Sequence, residues 1–198
     1  MKPLAIFGLQ GASREPRSMF RQIGALFEQI RLRELERTDN AFPLRQANIE
    51  VGNVAYGSLG TSGVSVAGTI YMAEAFIRRT MLATGMGILN GTIAGTDNVI
   101  YALYDVSGRL LARTASTTHA GTDVFQEINF QTPVRLPNDG RYWFALQVSG
   151  ATATNRRMAA STFLNRAGSV TGTFGTIPGQ IVVPTTFTAT TGPFGYLY

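Results

Sequence analysis

The side chains that could do chemistry in this chain are few, and only one of them is a histidine, His119. A single histidine rules out a multi-histidine metal site within one chain. A Ser-His-Asp triad needs no fixed order along the sequence, but the chain contains no Gly-x-Ser-x-Gly elbow that would present the serine. His119 lies in the loop-like stretch Thr117–Gly121. We therefore expect a loop histidine, satisfied by its surroundings or by solvent, rather than a catalytic base.

The remaining motifs for ligand chemistry are incomplete. Gly85 and Gly87 begin a near match to the dinucleotide fingerprint, but Asn90 occupies the place of the third glycine, and no helix is predicted to follow. Four aspartates lie in or beside predicted turns, namely Asp97, Asp105, Asp123 and Asp139. Turn initiation explains these residues better than binding of a calcium ion does. The chain has no cysteine, which excludes disulfides and thiolate metal ligands. The sequence thus predicts no catalytic residue, metal or cofactor, and a protein that is not an enzyme.

Trp143 is the residue most suited to contacting a partner or a glycan. It belongs to the clearest strand pattern of the chain, Arg141–Ser149, in which apolar residues alternate with a period of two. One face carries Tyr142, Phe144, Leu146 and Val148. If the other face meets water, Arg141, Trp143 and Gln147 are candidate contacts for a partner protein or a sugar. If another segment packs on that face, Trp143 belongs to the core or to a subunit interface, which is the interpretation we favour.

Composition favours short strands over helices. The chain has 198 residues, of which 22 are glycine, and only 15% are charged; glycine is a poor helix former. The net charge of +5 comes from scattered arginines without any basic run, so nucleic acid is not expected as the main partner. No stretch approaches 18 apolar residues, so no membrane-spanning helix is expected.

One amphipathic helix is predicted before the strands, at about 16–37. Ser13 can cap it, and Pro16 suits its first turn. Met19, Ile23, Leu26 and Ile30 recur at spacings of four and three, which places them on one face. This face is the predicted assembly interface, against sister chains or other proteins; packing within its own domain is an equally good interpretation.

The chain divides by pattern into four parts. These are an N-terminal arm at 1–47 with its helix, a glycine-rich linker at 48–67, an antiparallel β-sandwich or jelly roll at 68–160, and an extended Gly/Thr-rich tail at 161–198. Strands are predicted at Thr69–Ile77, Met81–Leu89, Asn98–Asp105, Arg109–Thr114, Asp123–Phe130 and Arg141–Ser149, and in the tail only Gln180–Val183 is strand-like. Turns are expected at Asp105–Gly108 and Pro137–Gly140. Gly85 and Gly87, inside a strand, indicate a bulge or a close backbone approach.

The region 69–160 resembles a β-sandwich module of tailed-bacteriophage structural proteins. The resemblance is carried by 84–91 (TGMGILNG), Gly95-Thr96-Asp97, 102–112 (ALYDVSGRLLA), 125–130 (FQEINF), 136–143 (LPNDGRYW) and 145–147 (ALQ). Such modules are found in capsid decoration (cement) proteins, head fibres and tail fibres. The resemblance implies homotrimers, no catalysis and no functional residues that can be transferred.

This resemblance leads to two expected functions. The first is a virion protein, assembled in the host cytoplasm, that decorates the capsid and contacts the major capsid protein through its arms. The alternative is a carbohydrate- or receptor-binding module of a tail fibre. A depolymerase or lyase is disfavoured, because no paired carboxylates or histidine cluster support it.

Overall fold

Strands make up all the regular structure in the described part of the chain. The structure, a computed structural model, describes residues 46–47, 59–78, 80–137, 139–159 and 166–198. Their strands are β1 (Gln46–Ala47), β2 (Thr61–Val64), β3 (Ile70–Ile77), β4 (Met81–Leu89), β5 (Asn98–Asp105), β6 (Leu110–Arg113), β7 (Thr117–Thr118), β8 (Phe125–Leu136), β9 (Gly140–Val148), β10 (Thr154–Arg157), β11 (Ala167–Val170) and β12 (Gly195–Leu197). The helix predicted at 16–37, with Met19, Ile23, Leu26 and Ile30, lies outside the described residues.

The strands pair into antiparallel sheets. A four-stranded sheet has the order β1-β12-β4-β8, and a larger sheet has the order β11-β3-β9-β5-β6, with β7 also pairing with β5. A separate pair joins β10 to β2. All the pairings between named strands are antiparallel. The prediction of a mainly β, antiparallel fold is therefore confirmed, and the arrangement is consistent with a β-sandwich.

The principal core joins residues from both sheets. On β9 the predicted period of two is confirmed, because Tyr142, Phe144, Leu146 and Val148 all belong to this core. Met86 and Ile88 of β4 meet them from the four-stranded sheet, and Tyr101 and Leu103 come from β5. Burial of such apolar side chains stabilises the fold by about 25 cal/mol per Å² removed from water. The two sheets therefore share one core.

The glycines of β4 are required by aromatic side chains in and directly after β12. A Cβ at Gly85 would lie 2.3 Å from the Tyr198 ring, and a Cβ at Gly87 would lie 2.6 Å from the Tyr196 ring. The register between β4 and β8 also shifts between Ala83 and Gly85. Both expectations for these glycines, a bulge and a close approach, are confirmed.

The turn predicted at Asp105–Gly108 is confirmed. The Ser107 backbone N–H donates to Asp105 Oδ1 at 2.9 Å, and Gly108 has a φ of 85°. Aspartate opens such a turn by accepting a backbone hydrogen bond, and glycine takes the positive φ without steric cost. This turn connects β5 to β6.

The C-terminal residues differ from the extended tail predicted at 161–198. The described residues 166–198 contain two strands. β11 pairs with β3, and β12 lies between β1 and β4. Gln180–Val183, predicted to be strand-like, contributes only a single bridge, from Gln180 to Arg109. Two strands of three and four residues are too short to show an alternating pattern, and their partners are distant in sequence.

The predicted linker also contains a strand. Residues 48–58 lie outside the described residues, but β2 pairs residue for residue with β10. Its glycine, Gly63, lies against the Arg157 side chain, where a Cβ would be 3.3 Å from Arg157 Cδ. The sequence Thr-Ser-Gly-Val resembles linker composition, and only the distant partner strand makes it a strand.

Candidate functional site

Trp143 is fully buried on the second face of the larger sheet. Its exposed fraction is 0%, and it belongs to a second core together with Ile177 and Ile181. The guanidinium of Arg166 lies 5.2 Å from the centroid of the indole ring. We call residues 173–183 the strap, since they cover this face. Trp143 is thus a core residue, and the alternative in which a segment packs on its face is the correct one.

Gln147 fastens the strap instead of contacting a ligand. Its Nε2 donates to Gly68 O at 2.8 Å and to Thr173 O at 3.0 Å. Its Oε1 accepts from the Gly175 N–H at 3.1 Å. A fully buried amide with these partners cannot reach a glycan at the surface. The prediction that Gln147 is a candidate glycan contact is therefore wrong for the folded chain.

Of the three predicted contact residues, Arg141 alone reaches the surface. Its side chain is 58% exposed, and its Nη1 lies 3.3 Å from Glu74 Oε1. Arg166 binds the same carboxylate at 2.7 Å through Nη2. Burial by itself would raise the pKa of Glu74, but the hydrogen bonds and charge of Arg166, helped by Arg141, hold this pKa below its ordinary value. The structure does not bring Arg141, Trp143 and Gln147 together at a surface.

His119 is buried rather than solvated. Its exposed fraction is 3%, and its Nε2 lies 3.4 Å from Asn155 Nδ2. Burial lowers the pKa of His119 below its ordinary value, although nearby backbone carbonyls and Asp97 act in the opposite direction. Its Nδ1 has no hydrogen-bond partner among the described residues. The imidazole is therefore a neutral, packed group at neutral pH.

His119 belongs to a set of hydrogen-bonded polar side chains that we call the polar joint, which contains the buried Asn90, His119 and Asn155 and the half-buried Gln126. Asn155 Nδ2 donates to Asn90 Oδ1 at 3.3 Å, and Asn90 Nδ2 donates to Gln126 Oε1 at 3.3 Å. The joint thus links the residue that follows β4, the strands β8 and β10, and the loop that follows β7. Asn90 also begins an Asn-Gly-Thr sequon, but its exposed fraction is 0%, so a glycan could not be accommodated there in the folded chain.

The turn aspartates are bound by groups of the chain itself. Asp97 Oδ2 accepts from the backbone N–H groups of Thr152 and Ala153 at 2.7 and 2.8 Å. Asp123 Oδ1 pairs with Arg156 at 2.8 Å. Over the described ranges, no three histidine, aspartate or glutamate side chains converge where a metal ion could be held.

Arg157 is a buried cation that the sequence pattern did not indicate. Its exposed fraction is 4%, its Nη2 donates to Ser65 Oγ at 2.6 Å, and its guanidinium lies 3.8 Å from the Tyr71 ring centroid. Burial lowers the pKa of Arg157. The adjacent pair Arg156-Arg157 is the one sequence feature that marks this site. Two adjacent charged residues are typical of an exposed surface, so the pair did not indicate burial.

Comparisons with protein-family models, with curated proteins and with solved structures found no match for this chain. Among the described residues, no helix is long and apolar enough to cross a membrane.

Proposed function

We propose that this chain is a non-enzymatic structural protein of a tailed-bacteriophage virion, acting as a capsid decoration or cement protein. One observation carries the proposal: the chain uses its chemistry-bearing side chains for its own packing. Trp143, Gln147 and His119 are 0%, 0% and 3% exposed, and the partners of Gln147 are backbone groups of adjoining segments. Such use of polar groups stabilises a fold instead of presenting a site.

The resemblance to phage virion modules adds support. In this proposal the two sheets form a β-sandwich of the jelly-roll type, and the chain assembles as a homotrimer. It reaches the virion after synthesis in the host cytoplasm. A particle protein without disulfides must be stabilised by packing and ion pairs, and the network of Glu74, Arg141 and Arg166 is one such element.

The partner in this proposal is the major capsid protein, contacted through the N-terminal arm. The predicted helix face of Met19, Ile23, Leu26 and Ile30 would provide four apolar side chains for that contact. Association of apolar surfaces is driven by the same burial that stabilises a core. The unit that contains all the described residues begins at Leu44, so residues 1–43 of the arm can be removed without touching β1.

Deleting residues 1–43 tests the proposal. We expect a soluble chain that keeps its β-sheet circular dichroism but no longer cosediments with capsids of the phage that encodes it. A full-length variant with serine at Met19, Ile23, Leu26 and Ile30 should show the same loss. The matched control replaces Gln22 and Gln29 with serine on the same predicted helix and should bind like the wild type. Normal incorporation of the deletion variant would refute the role of the arm.

A further inference from the structure

The C-terminal strand β12 lies inside a sheet rather than at its edge. It pairs with β4 on one side and β1 on the other. The Leu89 N–H donates to Phe194 O at 2.9 Å, and the Thr84 N–H donates to Tyr198 O at 2.7 Å. Residues 192–197 are all buried. We call the surface that receives residues 192–198 the strand seat.

The strand seat is shaped for this particular segment. Gly85 and Gly87 leave room for the Tyr198 and Tyr196 rings, and Leu197 enters the principal core with an exposed fraction of 0%. Gly192 packs on Ala167, where a Cβ would lie 2.7 Å from the alanine methyl. The seat therefore selects a glycine–aromatic sequence, and any copy of this chain supplies one.

The segment enters its seat through a strained and exposed turn. Thr190 has a φ of 60°, which is unfavourable for a β-branched residue. Residues 188–190 are exposed. The turn is held by backbone bonds of 2.8 Å from the Thr188 N–H to Ala167 O and from the Thr190 N–H to Met158 O. Opening the turn would release the strain at Thr190 and extend the chain beyond it.

We propose that residues 192–198 are an exchangeable strand, which can occupy the strand seat of a second copy of this chain when the turn at Thr190 opens. Every contact within the seat is then reproduced between copies, so the exchange costs chiefly the entropy of association. Strained hinge turns favour such swapping, and swapping is a low-cost route to oligomers. The exchange goes beyond the virion role and does not depend on it.

Two full-length variants test the exchange by complementation. Gly87→Leu blocks the seat but keeps a normal strand, whereas Leu197→Asp spoils the strand but keeps a normal seat. One variant is labelled with ¹⁵N, and the two are refolded together at equal concentration. Native mass spectrometry should show a mixed oligomer in which the Gly87→Leu chain donates its strand to the Leu197→Asp chain.

The control replaces the donor with the double variant Gly87→Leu/Leu197→Asp, which has neither a seat nor a strand. Mixed oligomers should then be lost. If Gly87→Leu and Leu197→Asp give no mixed oligomer, or if the control gives as much, the exchange does not occur.

The strain at Thr190 gives a second test with the otherwise intact chain. Glycine tolerates a φ of 60°, so Thr190→Gly should stabilise the closed turn. After refolding at high concentration, light scattering should show a several-fold smaller exchanged fraction for Thr190→Gly than for the wild type. Equal fractions, or no oligomer of either protein at any concentration, would overturn the proposal.

Discussion

Single residues in this protein show how burial decides what a side chain can do. By residue type, His119 is the best candidate for a catalytic base and Trp143 the best candidate for a partner contact. Both side chains are buried. Burial keeps the imidazole neutral and removes the indole from solvent. Arg141, by contrast, keeps an exposed head beside the buried carboxylate of Glu74. Which of these residues can act at a surface is therefore set by their neighbours.

The lowered pKa of His119 predicts that stability depends on pH. The unfolded chain has an ordinary histidine with a pKa of about 6.5, so below that pH it binds a proton that the folded chain refuses. The free energy of unfolding should therefore be highest above pH 6.5. It should fall as the pH drops toward the lowered pKa of His119 in the folded chain. Urea unfolding between pH 7.5 and 5 measures this effect.

The control for this prediction is His119→Gln, which cannot titrate. The unfolding free energy of this variant should change much less between pH 7.5 and 5. Glu74, whose pKa is also lowered from 4.5, titrates below that pH interval. Equal slopes for the wild type and His119→Gln would show that the buried imidazole does not cause the pH dependence.

Elements of this fold are defined by what covers them. The larger sheet is apolar on both faces: one face meets the four-stranded sheet, and the other meets the strap. The strap has almost no regular structure, yet Ile177 and Ile181 are 8% and 6% exposed. Its backbone is held by Gln147 and by Tyr104, whose hydroxyl donates to Pro178 O at 3.1 Å.

The strap should control the fluorescence of Trp143, the only tryptophan of the chain. Ile181→Asp places a charge against the second core, which costs several kcal/mol at an apolar buried site. We expect a red-shifted emission and increased quenching by iodide. Val182→Asp is the matched control, because Val182 is 85% exposed, and it should leave the spectrum unchanged. A blue-shifted, unquenched spectrum for Ile181→Asp would show that the strap does not cover the indole.

Local patterns predicted the long strands well. The predicted strands Met81–Leu89 and Asn98–Asp105 match β4 and β5 at both ends, because each has a strong apolar pattern. Asn98–Asp105 is also followed by a turn whose residues have one preferred conformation. The strand predicted at Asp123–Phe130 continues to Leu136 in β8, through Pro133. Proline is tolerated there because β8 is an edge of the four-stranded sheet.

Patterns failed where the partner is distant in sequence. The period of two at Trp143 identified two faces, but nothing local shows that the strap, 30 to 40 residues later in the sequence, covers the second one. The polar joint was missed for the same reason, because Asn90, Gln126 and Asn155 are ordinary loop or strand residues until the fold brings them to His119. Tertiary contacts, not propensity, determine both features.

At the scale of the whole molecule, the unit Leu44–Tyr198 is stabilised without any disulfide. It has a principal core between the sheets, a second core under the strap and a third one, around Leu59, Leu89 and Phe194. Leu197 of β12 contributes to the first core, and Phe194, directly before β12, contributes to the third. A unit of this kind suits a durable particle component, which is the role that we propose.

The central claim is that a tailed phage encodes this chain and incorporates it into its particles, and quantitative mass spectrometry of that phage's purified particles tests it most directly. We predict peptides of this chain in intact virions, at many copies per particle and in a constant ratio to the major capsid protein after repeated gradient purification. Peptides found in the lysate of infected cells, but lost from the particles during purification, would contradict the claim.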